Sequence, residues 1–177
     1  MAMVRLDKIA KGAHLASIKY NSAIYNGTLW VLGGLASGER EVHDVAAATT
    51  ANVNGFDPIV LHASVEYMWE ANKPKLNQFQ LEAGEVGRAY FLTVGDIFTI
   101  TDDLFDSQGV PAVGDYVGPS LITAGEFQKL SANDPSGTVT DGTNTATPKL
   151  VMKVIESTTL GADGESAKVL LVVKNHI

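Results

Sequence analysis

Apolar residues in this chain fall in short runs separated by glycine, asparagine, aspartate and proline, and the runs read more often as strands than as helices. The centre shows this best. Residues 88–94 (Arg-Ala-Tyr-Phe-Leu-Thr-Val) and 97–101 (Ile-Phe-Thr-Ile-Thr) are rich in β-branched and aromatic side chains, which fit a pleated surface. In the second run Ile97 and Thr99 alternate with Phe98 and Ile100. Gly95-Asp96 between the runs predicts a tight hairpin. The phrase is echoed at Val113-Gly114-Asp115-Tyr116-Val117, which reads as another turn leading into a strand and is too short for a solenoid repeat. Near the C-terminus, Leu150-Val151-Met152-Lys153-Val154-Ile155 and Val169-Leu170-Leu171-Val172-Val173 flank Gly161-Ala162-Asp163-Gly164. They predict a closing hairpin whose strands pass through the core.

The first half is less regular. Residues 1–20 mix basic and apolar positions, and Gly12 weakens any helix there, so an extended arm leading into a strand is expected. Asn26-Gly27 predicts a two-residue hairpin between 23–25 and 28–32. Asn26-Gly27-Thr28 also matches a glycosylation sequon, but no apolar leader precedes it and the turn is preferred. Residues 33–38 read as a flexible link, 40–45 as a short strand, 46–57 as a loop and 59–63 as a short buried strand. Residues 64–77 are ambiguous, because Pro74 interrupts any helix. The best helical stretch is 76–82, about two turns. Residues 131–148 are dominated by Ser, Thr, Asn, Asp, Gly and Pro and predict an exposed polar loop. About seven to nine short strands with turns between them favour a barrel or sandwich. The expected fold is therefore mainly β: a single barrel- or sandwich-like domain over 14–177, an extended N-terminal arm over 1–13, and at most one short helix.

Composition narrows the function. With 177 residues, 45% apolar and 19% charged, the chain can build one real core. Its formal net charge of −7, from 13 basic and 20 acidic residues, repels phosphate. Lys73 and Lys75 are the nearest thing to a basic pair, so no nucleic-acid partner is expected. The absence of cysteine excludes disulfides, thiolate zinc sites and cysteine nucleophiles, and fits synthesis in a reducing cytoplasm. No long apolar leader opens the sequence and no run approaches the roughly 18 apolar residues of a membrane span, so no membrane partner is expected and the whole chain is read as the mature protein.

Candidate chemistry is sparse. Gly33 and Gly38 have phosphate-loop spacing, but Glu39 and Arg40 stand where Lys and Ser/Thr would be needed. Gly84-Glu85-Val86-Gly87 resembles an RNA-backbone clamp, yet Glu85 would repel the backbone. His14, His43, His62 and His176 are far apart in sequence; His43 and His62 fall in predicted strands and could meet in space, but structural roles are expected. Asp102, Asp103, Asp106 and Gly109 form an acidic loop without the regular spacing or closing Glu of a calcium site. No Gly-x-Ser-x-Gly elbow occurs, and nothing singles out a catalytic pair among the acids. No catalytic, cofactor or metal site is expected, and the chain is not read as an enzyme. Trp30, Tyr67 and Trp69 lie beside loops and are candidate interface anchors, with ordinary core packing as the favoured alternative.

Several phrases resemble a known group. Val4-Arg5-Leu6-Asp7-Lys8-Ile9, then Gly12 to Ile18, looks like the start of small virion proteins encoded beside the major capsid gene of tailed bacteriophages. Asn26-Gly27 with Leu32-Gly33 and Gly38-Glu39-Arg40-Glu41-Val42 is similar, as are Glu82-Ala83-Gly84 through Gly87-Arg88-Ala89-Tyr90 and Val94-Gly95-Asp96-Ile97-Phe98. The likeness covers the first two thirds and, more weakly, the final hairpin, with 131–148 resembling an insertion. The resemblance implies a head decoration (cement) protein on the capsid exterior, partnered by the major capsid protein and without active-site residues. A homotrimer is expected, since closed rotational symmetry is the common case. An arm of twelve extended residues would span roughly 40 Å, enough to reach a neighbouring subunit. The candidate interface is Val4, Arg5, Leu6, Ile9, Trp30, Tyr67 and Trp69. The alternatives are a tail or head-completion subunit, or a carbohydrate- or receptor-binding β-module using Trp30 or Trp69 as a stacking platform.

Overall fold

A computed structural model describes residues 2–10, 14–64, 80–161 and 163–175. The chain is mainly β: of the described residues 48% are strand and 5% helix. In order the elements are β1 (Val4–Lys8), β2 (Leu15–Lys19), β3 (Ile24–Tyr25), β4 (Leu29–Leu35), β5 (Val42–Ala46), α1 (Thr50–Asn54), β6 (Ile59–His62), β7 (Gln80–Leu81) and β8 (Val86–Phe91). They continue with β9 (Ile97–Thr101), a 3-10 turn (Asp102–Leu104), β10 (Tyr116–Pro119), β11 (Phe127–Lys129), β12 (Val139–Thr140), β13 (Thr145–Ala146), β14 (Leu150–Leu160) and β15 (Glu165–Asn175).

Two β layers carry the architecture. Strands β2-β5-β4-β6-β8 close into a barrel, and β1-β9-β15-β14-β10-β11 form a six-stranded sheet. Within the barrel β2 and β5 are parallel, and its other pairs are antiparallel. The barrel packs against the sheet. Leu29 and Val31 of β4 and Ile59 and Leu61 of β6 share one apolar cluster with Phe98, Ile100, Phe127, Met152 and Leu170 of the sheet. The intervening Trp30 and Val60 join Ala16, Ile18, Val45 and Ala89 in a second cluster, which fills the barrel. Strands β4 and β6 are thus buried on both faces, which is why 29–32 and 59–61 read as unbroken apolar runs rather than alternations. Phe127 sits between Phe98 and Phe105, with ring centroids 6.2 and 6.0 Å away. Each such fully buried side chain contributes about 1.5–3 kcal/mol through burial.

The closing hairpin forms where expected, as β14 and β15, and runs further than the apolar residues alone indicated, from Leu150 to Asn175. Other sequence expectations need correction. Runs 88–94 and 97–101 are not a hairpin. Strand β8 already has β2 and β6 on its two edges, and β9 has β1 and β15, so the turn between them carries the chain from barrel to sheet. Asn26-Gly27 is a turn but joins no hairpin: β3 pairs with β7, and the Gly27 N–H donates to the His62 carbonyl at 2.8 Å. Gly33 and Gly34 are part of β4, not a flexible link. A Cβ on Gly33 would lie 2.8 Å from the Asp44 carbonyl oxygen, so glycine lets the neighbouring strand approach.

The one helix among the described residues is α1, in the stretch read as a loop; Thr49 and Asn52 cap it reciprocally. Of the helical candidate 76–82, residues 80–81 are strand β7 and 76–79 lie outside the described residues. The polar stretch 131–148 is not bare loop. It holds β12 and β13, and Val139 and Ala146 are buried with Val53 of α1, Leu130 and Val151.

Four strands open on the same turn. Residues 82–85, 93–96, 112–115 and 123–126 each place glycine third and an acid fourth, immediately before β8, β9, β10 and β11. The glycines have φ of +79°, +98°, +99° and +82°, a region costly for other residues. In each turn the N–H of the acid donates to the carbonyl of the first residue, at 3.0–3.3 Å.

Candidate functional site

The N-terminal stretch is extended, and its residues 4–8 lie along β9 of their own sheet as β1. Val4, Leu6 and Ile9 are partly buried against the large core cluster, so part of their apolar surface already packs inside the molecule. Arg5 is exposed, and its guanidinium meets the Asp7 carboxylate at 2.6 Å. Trp30 is 4% exposed, which favours core packing. Its Nε1 donates to Thr28 Oγ1 at 2.7 Å, and its ring centroid lies 4.5 Å from that of Tyr20. Tyr67 and Trp69 lie outside the described residues.

The edge of Trp30 nevertheless reaches a cavity. It measures about 740 Å³ and lies where one end of the barrel faces the sheet. Tyr20, Tyr25, Trp30 and Gln80 line it from the barrel side; Asp103 and Glu126 line it from the 3-10 turn and from the turn 123–126. Gly125 sets that closeness, since a Cβ there would lie 3.0 Å from Thr28 and 3.2 Å from Trp30. Burial pushes the Glu126 carboxyl above its ordinary pKa; the Thr123 hydroxyl opposes this, and the negative charge of Asp106 adds to it. Sequence reasoning did not single out Tyr20, Tyr25 or Glu126. The available signal was the recurrence of glycine followed by an acid at strand starts.

The histidines do not converge. His62 is fully buried on β6; Nδ1 lies 2.8 Å from the Tyr25 carbonyl oxygen and Nε2 2.9 Å from Ser64 Oγ. Burial lowers its pKa below 6.5, partly offset by the Tyr25 carbonyl. His43 pairs with Ile18 of β2, and its Nδ1 lies 3.0 Å from the Gly33 carbonyl oxygen, so its partners are not those of His62. His14, Glu41 and His43 line a smaller hollow of about 460 Å³ on the barrel. In the acidic loop Asp106 accepts from Ser120 Oγ at 2.7 Å, and Asp102 approaches Lys168 Nζ at 3.5 Å. No group of three or more His, Asp or Glu among the described residues is arranged to hold a metal ion.

The turns also expose apolar tips. Val94 is 61% and Val113 56% exposed. Gly95 N–H bonds the Val172 carbonyl and Gly114 N–H the Val154 carbonyl, at 2.9 and 2.8 Å. Val172 pairs with Met152 and Val154 with Leu170, so the two turns flank the β14–β15 ladder at nearly the same height. No helix among the described residues is long and apolar enough to cross a membrane. Against known proteins, no family model, no curated protein and no solved structure matches this chain.

Proposed function

We propose that this chain is a structural virion protein that binds the outside of a tailed-phage capsid and stabilises it by bridging neighbouring capsid subunits. The observation that carries the reading is the phrase over 82–98, which resembles small virion proteins encoded beside the major capsid gene. In this fold it is the passage from barrel to sheet, with two strand-opening turns, rather than a cleft built for chemistry. The acidic charge of −7 also suits the outside of a DNA-filled shell better than its inside. Candidate contacts are the exposed valines at turn tips and the outer edge of β1, which has no second strand beside it among the described residues and would take an added strand from a partner.

Co-sedimentation with capsids stripped of this protein tests the reading. Deleting 1–12 would remove β1 and damage the sheet, so surface substitutions are the better probe. The wild type is expected to pellet saturably. The Val94→Ser and Val113→Ser double variant should bind about tenfold more weakly, a loss of about 1.4 kcal/mol, with an unchanged circular dichroism spectrum. Failure of the wild type to pellet would remove the proposal. Undiminished binding by the variant would remove the valine contacts.

A further inference from the structure

The two faces of the six-stranded sheet are covered unequally. On one, Phe98, Leu170, Met152 and Val154 join the large cluster beneath the barrel. On the other, the stretch 131–148 and α1 cover Val151 and part of Val173, through Val139, Ala146 and Val53. Two residues further along β14 and β15 this apolar cover ends. The register sets Lys8, Ile97, Leu171, Lys153 and Tyr116 in one row across β1, β9, β15, β14 and β10. Residues opposed in this way share a face of the sheet. Ile97 and Leu171 are partly exposed and belong to none of the apolar clusters among the described residues. Ile155, in the bulge of β14 next to this row, is exposed, as are Val94 and Val113 at the turn tips. The row thus presents two adjacent aliphatic side chains between two lysines. The charge here runs against that of the whole chain, which is −7. Neither Lys8 nor Lys153 is in an ion pair among the described residues. Lys153 Nζ lies 5.4 Å from the centre of the Tyr116 ring, which keeps the ammonium over the sheet. In the next row, Arg5, Thr99, Val169 and Glu156, the arginine is already paired with Asp7, so Glu156 alone opposes the lysines.

We propose that this row binds an extended segment of a partner protein in which an apolar side chain is flanked by two carboxylates. Lys8 and Lys153 stand three strand spacings apart, about 14 Å. Four residues of extended chain span about 13 Å, so acids at the first and fifth positions meet the two lysines. The third residue points the same way and lies on Ile97 and Leu171. The segment crosses the strands, as strands do in orthogonally packed sheets. Aliphatic burial supplies affinity, and the lysines orient the segment and reject basic ones. The proposal rests on the capsid-binding reading only for where such a segment is found, and its recognition is tested without capsids.

Isotope-labelled full-length chain is titrated with acetyl-Ser-Glu-Thr-Leu-Thr-Glu-Ser-amide and followed by NMR. Saturable shifts are expected at the backbone amides of Ile97, Leu171 and Lys153. The same peptide with Gln for both Glu should bind about fivefold more weakly, through loss of two exposed charge pairs. The Glu peptide should weaken to a similar degree in about 0.5 M sodium chloride. Lys8→Glu with Lys153→Glu should invert the preference, so that a peptide with Lys for both Glu binds better than the original. Ile97→Thr with Leu171→Thr should weaken all the peptides alike. Both variants are checked by circular dichroism, and the lysine pair carries the test if the apolar pair does not fold. No saturable shifts, shifts only at other parts of the chain, or equal binding of the Glu and Gln peptides would overturn the proposal. Peptide binding by a chain that does not pellet with capsids would remove the capsid reading and leave this face intact. Pelleting without peptide binding would remove this face alone.

Discussion

Asp96 and Asp115 close equivalent turns in different surroundings, and the difference sets what each is worth. Asp96 is buried and accepts from the backbone N–H of Thr93 and of Ala10, both at 2.7 Å, and from the Thr93 hydroxyl at 3.0 Å. It therefore fixes the turn before β9 and the chain leaving β1 together. Asp115 accepts from the Ala112 N–H at 2.8 Å and pairs with Lys129 Nζ at 2.6 Å, nearer to solvent. Charge-assisted hydrogen bonds contribute about 1.5–3 kcal/mol each when desolvated, and stranded N–H groups add to the loss. Asp96→Ala should cost about 3–5 kcal/mol and Asp115→Ala about 1–2 kcal/mol, read from urea unfolding midpoints. Equal losses would show that the two turns are not distinguished by burial. The sequence made two of the four turns visible because Val-Gly-Asp recurs letter for letter. The copies at 82–85 and 123–126 use Ala-Gly-Glu, the same roles in different letters; Gly84-Glu85 reads in the sequence as a turn before a strand, and 123–126 carries no β-rich run after it to mark it.

Strands were legible where composition sufficed, but of their pairings only the closing hairpin β14–β15 was. The runs at 59–63, 97–101 and 150–155 are strands because β-branched and apolar residues cluster there. Pairing depends on which edges are already taken, and neighbouring runs in sequence do not carry that information. The miss at 131–148 has a related cause: Val139, Ala146 and Pro148 supply its buried side chains, too few to show as a pattern among polar neighbours. His62 ties elements together in a way that pH can read. Its ring links β6 to the carbonyl of Tyr25 in β3, and burial keeps it neutral below its ordinary pKa of 6.5. Between its folded and unfolded pKa values the unfolded chain binds more protons, so stability is complete above about pH 6.5 and falls as pH drops below it. His62→Gln should flatten that fall between about pH 7 and about pH 5.5, above the range where most carboxylates titrate. An unchanged slope in denaturation midpoints would assign the effect to other groups.

At the scale of the molecule, a closed barrel and a six-stranded sheet share one apolar interface, and β4 and β6 belong to both of its cores. This couples the barrel-end cavity to the sheet turns, because Gly125 lies against Trp30 and the Leu29 N–H bonds the Gly125 carbonyl at 2.8 Å. The mainly β class was readable from short apolar runs and turn residues. The cavity was not, since its walls come from segments about a hundred residues apart, brought together only by the barrel packing on the sheet. The measurement that bears most directly on the proposed role is quantitative mass spectrometry of purified virions of the kind the proposal takes this chain to belong to. A decoration protein should be present at a copy number comparable to that of the major capsid protein. A handful of copies per particle, or none, would contradict that role.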